Sequence, residues 1–220
     1  MARADTTRAP AGRRQQRRTQ YQELGRSQLL DAAEEVFGRR GFNDATLKEI
    51  AELAEFSVGS VYSFFASKED LYLSVFTRRG EAFLPRLAAV VTSELPPLER
   101  LHALVDFEVE FFRSHPHFGR LWLRSGRVGL PPSSDRAVDE KLGENLASAM
   151  ALQARLLADG QAAGVIRPGD PDALARVLSG MIAAYQSVDP AVVEVDGGRG
   201  ERLALSDLHD MVERAFAPAG

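Results

Sequence analysis

Residues able to do covalent or metal chemistry are scarce in this chain: it has four histidines, His102, His115, His117 and His209, and no cysteine. Glu99 and His102 form one Glu-x-x-His pair, a spacing that sets two ligands on one helix face. A helical di-iron centre needs that pair twice with two further glutamates, and no second copy follows. His115-Pro116-His117 supplies half a metal site at most and reads better as a polar, helix-breaking turn. The absence of cysteine removes thiolate nucleophiles, disulfides and Cys-ligated zinc together. No G-x-S-x-G elbow, phosphate loop or dinucleotide fingerprint occurs. The expectation is a protein that is not an enzyme, with no catalytic residues, no metal and no cofactor.

Residues 46–65, TLKEIAELAEFSVGSVYSFF, suit recognition instead. Thr46 and Glu49 have the T-x-x-E spacing of a capping box, opening a short helix whose Leu47, Ile50, Ala51 and Ala54 share a face. Ser57 is the next N-cap and starts another short helix, with Val61, Tyr62 and Phe65 as its apolar and aromatic positions. Two short helices across a tight turn are the parts of a helix-turn-helix, in which the second helix lays its N-terminal residues on base edges in the major groove. Ser57, Val58, Gly59 and Ser60 carry little bulk there, so the backbone can approach a duplex closely. Tyr62 and Ser63 follow with hydroxyls able to reach phosphates.

These parts need a scaffold. Leu29, Leu30, Ala33, Val36 and Phe37 fall on one helical face that ends at Arg39-Arg40-Gly41, cations followed by a stop glycine. Ser67 and Asp70 repeat the cap pattern, and Leu71, Val75 and Phe76 carry a fourth helix toward the C-terminal region. Breaks at Pro96-Pro97, Pro116, Pro131-Pro132, 168–171 and 197–200 then separate helices predicted at 98–114, 118–124, 137–160, 171–187 and 201–216. Strand signals are absent. The expected fold is all-α, an N-terminal three-helix helix-turn-helix domain plus a C-terminal helical bundle, divided as a disordered Arg-rich tail over 1–20, a DNA-binding domain over 21–76 and a ligand-binding and dimerisation domain over 77–220.

Over residues 26–76 the chain resembles the TetR family of bacterial regulators, in LLDAAEEVFGRRGFNDATLKEIA, SVGSVYSFF and SKEDLYLSVF. The resemblance implies that Thr46 and Lys68 bind phosphate, that Ser57 to Ser60 with Ser63 read bases, and that Tyr62 binds backbone. Two positions depart from the family pattern. Glu55 stands where the turn usually holds glycine, so either the backbone differs there or a side-chain-bearing residue takes positive φ. Phe64, kept with these residues in the expected DNA-binding set, stands at a position of the aromatic cluster usually held by histidine or tyrosine, and so lacks one phosphate hydrogen bond.

The resemblance also implies a repressor that leaves a palindromic, double-stranded operator when a small apolar or amphipathic effector binds, and a homodimer built on the last helices. Two reading helices spaced by about one duplex turn, ~34 Å, would double the contacts that one helix makes. Candidate pocket residues are the mid-chain aromatics Phe107, Phe111, Phe118 and Trp122, with Met150, Met181 and Tyr185; the same residues equally suit a core.

Net charge is -4, yet Arg3, Arg8, Arg13, Arg14, Arg17 and Arg18 face only Asp5 in the first twenty residues. That tail either reaches a minor groove or phosphates, or is a solvated extension. No apolar h-region follows it and no run approaches the ~18 to 20 apolar residues of a membrane span, so the expectation is a soluble, cytoplasmic protein with no membrane partner. The rival reading is a helical ligand-binding or protein-interaction module that does not use its DNA-binding fold.

Overall fold

The computed structural model describes residues 9–128, 136–193 and 203–218, and among these every regular element is an α-helix. In chain order they are α1 (Ala9–Asp44), α2 (Leu47–Leu53), α3 (Val58–Phe64), α4 (Lys68–Val91), α5 (Pro97–Ser114), α6 (Pro116–Val128), α7 (Arg136–Ala162), α8 (Pro171–Gln186) and α9 (Leu205–Phe216).

Local signals set the amino-terminal boundaries. Gly41 leaves the helical path at φ 79°, ψ 174°, so α1 breaks where the Arg-Arg-Gly signal predicts. Thr46 and Glu49 form the capping box, each side chain bonded to the other's backbone N–H at 3.2 and 3.1 Å. Ser57 caps α3 by accepting from Ser60 N, and Ser67 caps α4 by accepting from Asp70 N, both at 3.1 Å. Pro97, Pro116 and Pro171 each occupy the first position of a helix, where a missing N–H costs nothing.

Three expectations differ from the structure. Residues 9–20, expected as disordered tail, are the first three turns of α1; residues 1–8 lie outside the described residues. Helix α6 is longer than the predicted 118–124, because Pro116 opens it rather than delaying it. The boundary drawn at 76/77 falls in the middle of α4, which runs unbroken from the helix-turn-helix into the bundle.

One continuous core joins the two ends, from Leu29 and Phe37 on α1, through Leu71 and Phe76 on α4, to Val212 and Phe216 on α9. Helix α1 meets α6 so closely that a Cβ on Gly38 would stand 2.6 Å from the His117 carbonyl oxygen and 2.8 Å from its Cα. On the α1–α4 seam, Glu34 is buried and accepts from Arg79 Nε at 2.7 Å, Arg79 Nη2 at 2.8 Å and Arg78 Nη2 at 3.0 Å, while Arg78 also reaches Asp31 at 2.7 Å. Two arginines and two carboxylates therefore balance there, which makes the burial of Glu34 tolerable.

Candidate nucleic-acid interface and effector cavity

Helix α3 divides its residues between two faces. Val61 and Phe65, four apart, are buried against the core. Ser57, Val58, Gly59, Tyr62 and Ser63 are exposed, Tyr62 by 57%, and Ser60 is half-buried. A tyrosine so exposed, next to a half-open Val58, forms a small apolar surface with a hydroxyl at its tip.

The hydroxyls at this helix start are already organised. Ser57 Oγ and Ser60 Oγ lie 2.8 Å apart and Ser63 Oγ donates to Ser60 O at 2.6 Å, which fixes their rotamers while leaving lone pairs for an outside donor. Around Gly59 the protein leaves open space: a Cβ there would meet nothing nearer than Ser57 Oγ at 3.8 Å. Packing within the chain therefore does not demand glycine at this position, and close approach from outside is the remaining physical use of its small size.

Glu55, in the turn before α3, has φ 60°. Of the two alternatives left open by the sequence, the backbone takes the left-handed one, with a glutamate bearing strain that glycine would not. Thr46 is exposed at the start of α2, and its Oγ1 donates to Glu49 Oε2 at 3.0 Å. Burial raises the Glu49 carboxyl, but the two bonds from Thr46 and the charges of Arg40, at 2.7 Å, and Arg39 outweigh this and hold it below the usual carboxylate range. Lys68, half-buried at the start of α4, donates to Asn43 O at 3.3 Å and sits 4.7 Å above the Phe42 ring, so its ammonium is drawn toward the α1–α2 turn with N–H groups to spare.

Phe64 is a correction. It does not share the exposed face of Tyr62; it turns onto Phe56, ring centroids 6.1 Å apart and edge to face, with its Cζ 3.0 Å from where a Gly25 Cβ would stand. The residue fixes α3 to α1 because an unpaired phenyl ring gains more from that contact than from solvent. Arg26, which the sequence reading missed, completes the fixture by donating to Phe64 O at 3.0 Å and Ser74 Oγ at 3.3 Å with its guanidinium 4.3 Å over the Phe65 ring. Its only sequence signal was a cation just ahead of an apolar helix face.

A cavity of about 180 Å³ lies farther along α4, walled by α4, α5, α6, α7 and α8. Phe76, Phe83, Phe112, Phe118 and Trp122 make its aromatic side. Of the seven candidate pocket residues, Phe118, Trp122 and Met150 line it, and the other four do not. Phe107 and Phe111 instead pack on Phe83, at 5.0 Å each, beneath the Arg86 guanidinium on the α4–α5 seam. Tyr185 is held by Arg113 Nη2 at 2.8 Å, in a network where Arg113 Nε also donates to Asp189 at 2.7 Å. Met181 is half-buried against the core beside the wall formed by its neighbours Ile182 and Ala183. The helical rotation of each of these four, about 100° per residue from a lining neighbour, sends it elsewhere.

The wall's unanticipated member is Glu108, wholly buried on α5. Gln153 Nε2 on α7 donates to its Oε1 at 2.7 Å, and Ser179 Oγ on α8 donates to Gln153 Oε1 at 2.8 Å. Burial pushes the Glu108 carboxyl up to about 8, against the opposing pull of the Gln153 bond. Its signal in the sequence was one acid on an apolar stripe, three and four residues from Val105, Leu104, Phe111 and Phe112.

Comparison with known proteins agrees with this geometry. A model of bacterial regulatory proteins of the tetR family matches residues 29–75. The HTH-type transcriptional regulator RutR of Escherichia coli K12 is 28% identical over 169 residues, 77% of each chain. The HTH-type transcriptional regulator YhgD of Bacillus subtilis is 26% identical over 150 residues, 68% of this chain and 76% of that one. Among solved structures, the regulator FadR of Bacillus subtilis, bound to stearoyl-CoA, superposes with a TM-score of 0.66 at 20% identity, over 87% of this chain and 97% of its own. A transcriptional regulator of Saccharomonospora viridis, bound to choline, also gives 0.66, at 21% identity and 87% and 95% coverage.

Proposed function

We propose that this chain, a DNA-binding transcriptional regulator belonging to the TetR family, is a repressor that holds a palindromic operator as a homodimer and releases it when a small effector fills the cavity. The single observation that carries the DNA-binding surface is the outward face of α3, with Val58, Gly59 and Tyr62 open to solvent and Gly59 unneeded by internal packing. Thr46 and Lys68 flank it at the starts of α2 and α4, where helix N-termini favour phosphate.

The dimer is supported by an exposed stripe on α8. Val177, Gly180 and Ala184 on α8, with Val188 just past its end, are exposed at helical spacing, and Met211 on α9 is exposed as well. A Cβ on Gly180 would meet nothing within 4 Å, so a second helix has room to approach. Gly180→Arg is expected to shift the protein from dimer to monomer in sedimentation velocity and to weaken operator binding with it.

Two helices connect cavity to reading head. Helix α4 carries Phe76 and Phe83 on the wall and the Ser67 cap at its start; α6 carries Phe118 and Trp122 on the wall and touches α1 backbone to backbone at Gly38. Arg124 on α6 also donates to Arg39 O at 3.3 Å. An effector acts by fitting one arrangement of α4 and α6 better than the other, and the preference sets how far the operator-bound population can fall. The repressor's cytoplasmic location and the absence of catalysis are part of the same reading.

A gel shift of the full chain on the DNA upstream of its own gene tests it. The expected result is a shifted band that weakens at least tenfold with Tyr62→Ala at unchanged thermal stability. No shift at low salt across a wide protein concentration would favour the rival, a ligand-binding module that leaves its helix-turn-helix unused.

A further inference from the structure

We infer that the effector is a compact organic cation, a single ring or short alkyl body carrying one ammonium group, held by Glu108 against the aromatic wall. The inference rests on the reading of the cavity as the effector site and names the chemical class it selects.

Charge is the first argument. Among the described residues, the lining holds only two charged side chains, Arg79 from α4 and Glu108 from α5; the parts of α6, α7 and α8 that face the cavity contribute none. Arg79 is neutralised by its two-point pairing with Glu34 behind the wall. No cationic side chain among the described residues pairs with Glu108. One formal acid therefore stands without a counter-charge, in a site where a buried carboxylate is costly unless a cation is brought to it.

The direction of the hydrogen bonds is the second. Ser179 donates to Gln153 and Gln153 donates to Glu108, so the relay delivers donors to the carboxyl, the polarity that supports a negative charge. Phe76, Phe83, Phe112, Phe118 and Trp122 supply the electron-rich faces that attract a desolvated cation.

Size is the third. The cavity of about 180 Å³ is slightly larger than a cavity of roughly 150 Å³ that accommodates benzene. A ring with a short ammonium head matches it.

Without a cation beside it, burial pushes the Glu108 carboxyl up to about 8, so at neutral pH it is mostly protonated. Binding a permanent cation then expels that proton, so affinity should climb about tenfold per pH unit until about pH 8 and level off above it.

Trp122, the chain's single tryptophan, lines the cavity and reports occupancy by its fluorescence. The test titrates the full-length protein and its Glu108→Gln variant with phenyltrimethylammonium and with tert-butylbenzene, its uncharged isostere, from pH 6 to 9, and runs the operator gel shift on the same samples. The expected result is at least a tenfold preference for the cation in the wild-type chain at pH 8, rising with pH, and loss of that preference in Glu108→Gln while tert-butylbenzene binds both alike. Equal binding of the two compounds to the wild-type chain, a flat pH profile, or quenching by neither at millimolar concentration with the DNA shift intact would overturn the cation site and leave the regulator standing. A Glu108-dependent cation preference in a protein that never shifts DNA would uphold the site and sink the regulator. The wild-type comparison needs no variant, so a poorly folding Glu108→Gln leaves the test decisive.

Discussion

The start of α3 and the cavity behind Phe76 use opposite physics. At α3 the candidate residues are mostly small, exposed and adjacent in sequence, and the serine hydroxyls are arranged by bonds within one or two turns of helix. At the cavity they are large, buried and drawn from five helices, and the one acid among them is held by a relay that spans α5, α7 and α8. A surface that meets a hydrated polyanion can rely on local geometry because water satisfies whatever the partner does not. In a buried apolar site each polar group must be matched by the fold or by whatever binds there, since an unmatched one costs the full penalty of desolvation: Glu108 has Gln153, whereas Asn145 Nδ2 and Gln186 Nε2 on the same wall have no partner within the fold.

The largest test of that contrast is the pH dependence of stability. Glu108 is protonated in the folded chain up to about 8, while its unfolded counterpart ionises near the ordinary carboxylate value, so this group's contribution is complete below the unfolded pKa and is lost as pH rises through the folded one. Urea unfolding should show the effector-free wild-type chain losing stability relative to Glu108→Gln by up to about 4 kcal/mol between pH 5 and pH 8. Parallel curves would mean that the carboxyl is not buried uncompensated. No comparable dependence is expected from residues of the α3 surface.

The seam between the regions comes next. Gly38→Val places a side chain against the His117 backbone, which cannot yield as a flexible side chain would, and should lower stability by about 2–3 kcal/mol in thermal unfolding. Gly126→Ala on the same helix α6 faces open space and should be neutral or slightly stabilising. Burial and the adjacent Arg120, whose Nη2 is 2.7 Å from Nδ1, hold the His117 imidazole below its usual value, which disfavours its charged form. A pH-driven opening of this seam is therefore not expected.

At the reading head the effects on binding and on stability should separate. Gly59→Ala has room inside the protein and exchanges glycine for a better helix former, so stability should hold or rise by roughly 0.5–1 kcal/mol, while operator affinity falls about tenfold, ~1.4 kcal/mol. Equal affinity in a gel shift would remove close approach as the reason for its size. Glu55→Gly should do the reverse, relieving the positive φ for about 1 kcal/mol of added stability with operator affinity unchanged.

Legibility followed the same division. The caps at Thr46, Ser57 and Ser67 and the stop at Gly41 were readable because each is a contact within a few residues of itself. The strain at Glu55 was legible as a choice between two backbones, and the coordinates chose. Phe64 could not be placed from its neighbours, since Gly25, thirty-nine positions earlier, leaves the space it fills. The cavity was half legible: Phe118, Trp122 and Met150 line it, yet Phe107, Phe111, Met181 and Tyr185, equally aromatic or soft, turn to other seams.

By itself the sequence determined the helices, their caps and the exposed start of α3, because periodicity and capping act over three or four residues and carry their own geometry. Only the tertiary structure decided that α1 and α6 touch at Gly38, that Arg79 is neutralised by Glu34, and that Glu108 stands uncompensated in the wall. Those facts depend on which faces of distant helices meet, and burial of a charge is a property of everything around it rather than of the residues beside it in the chain.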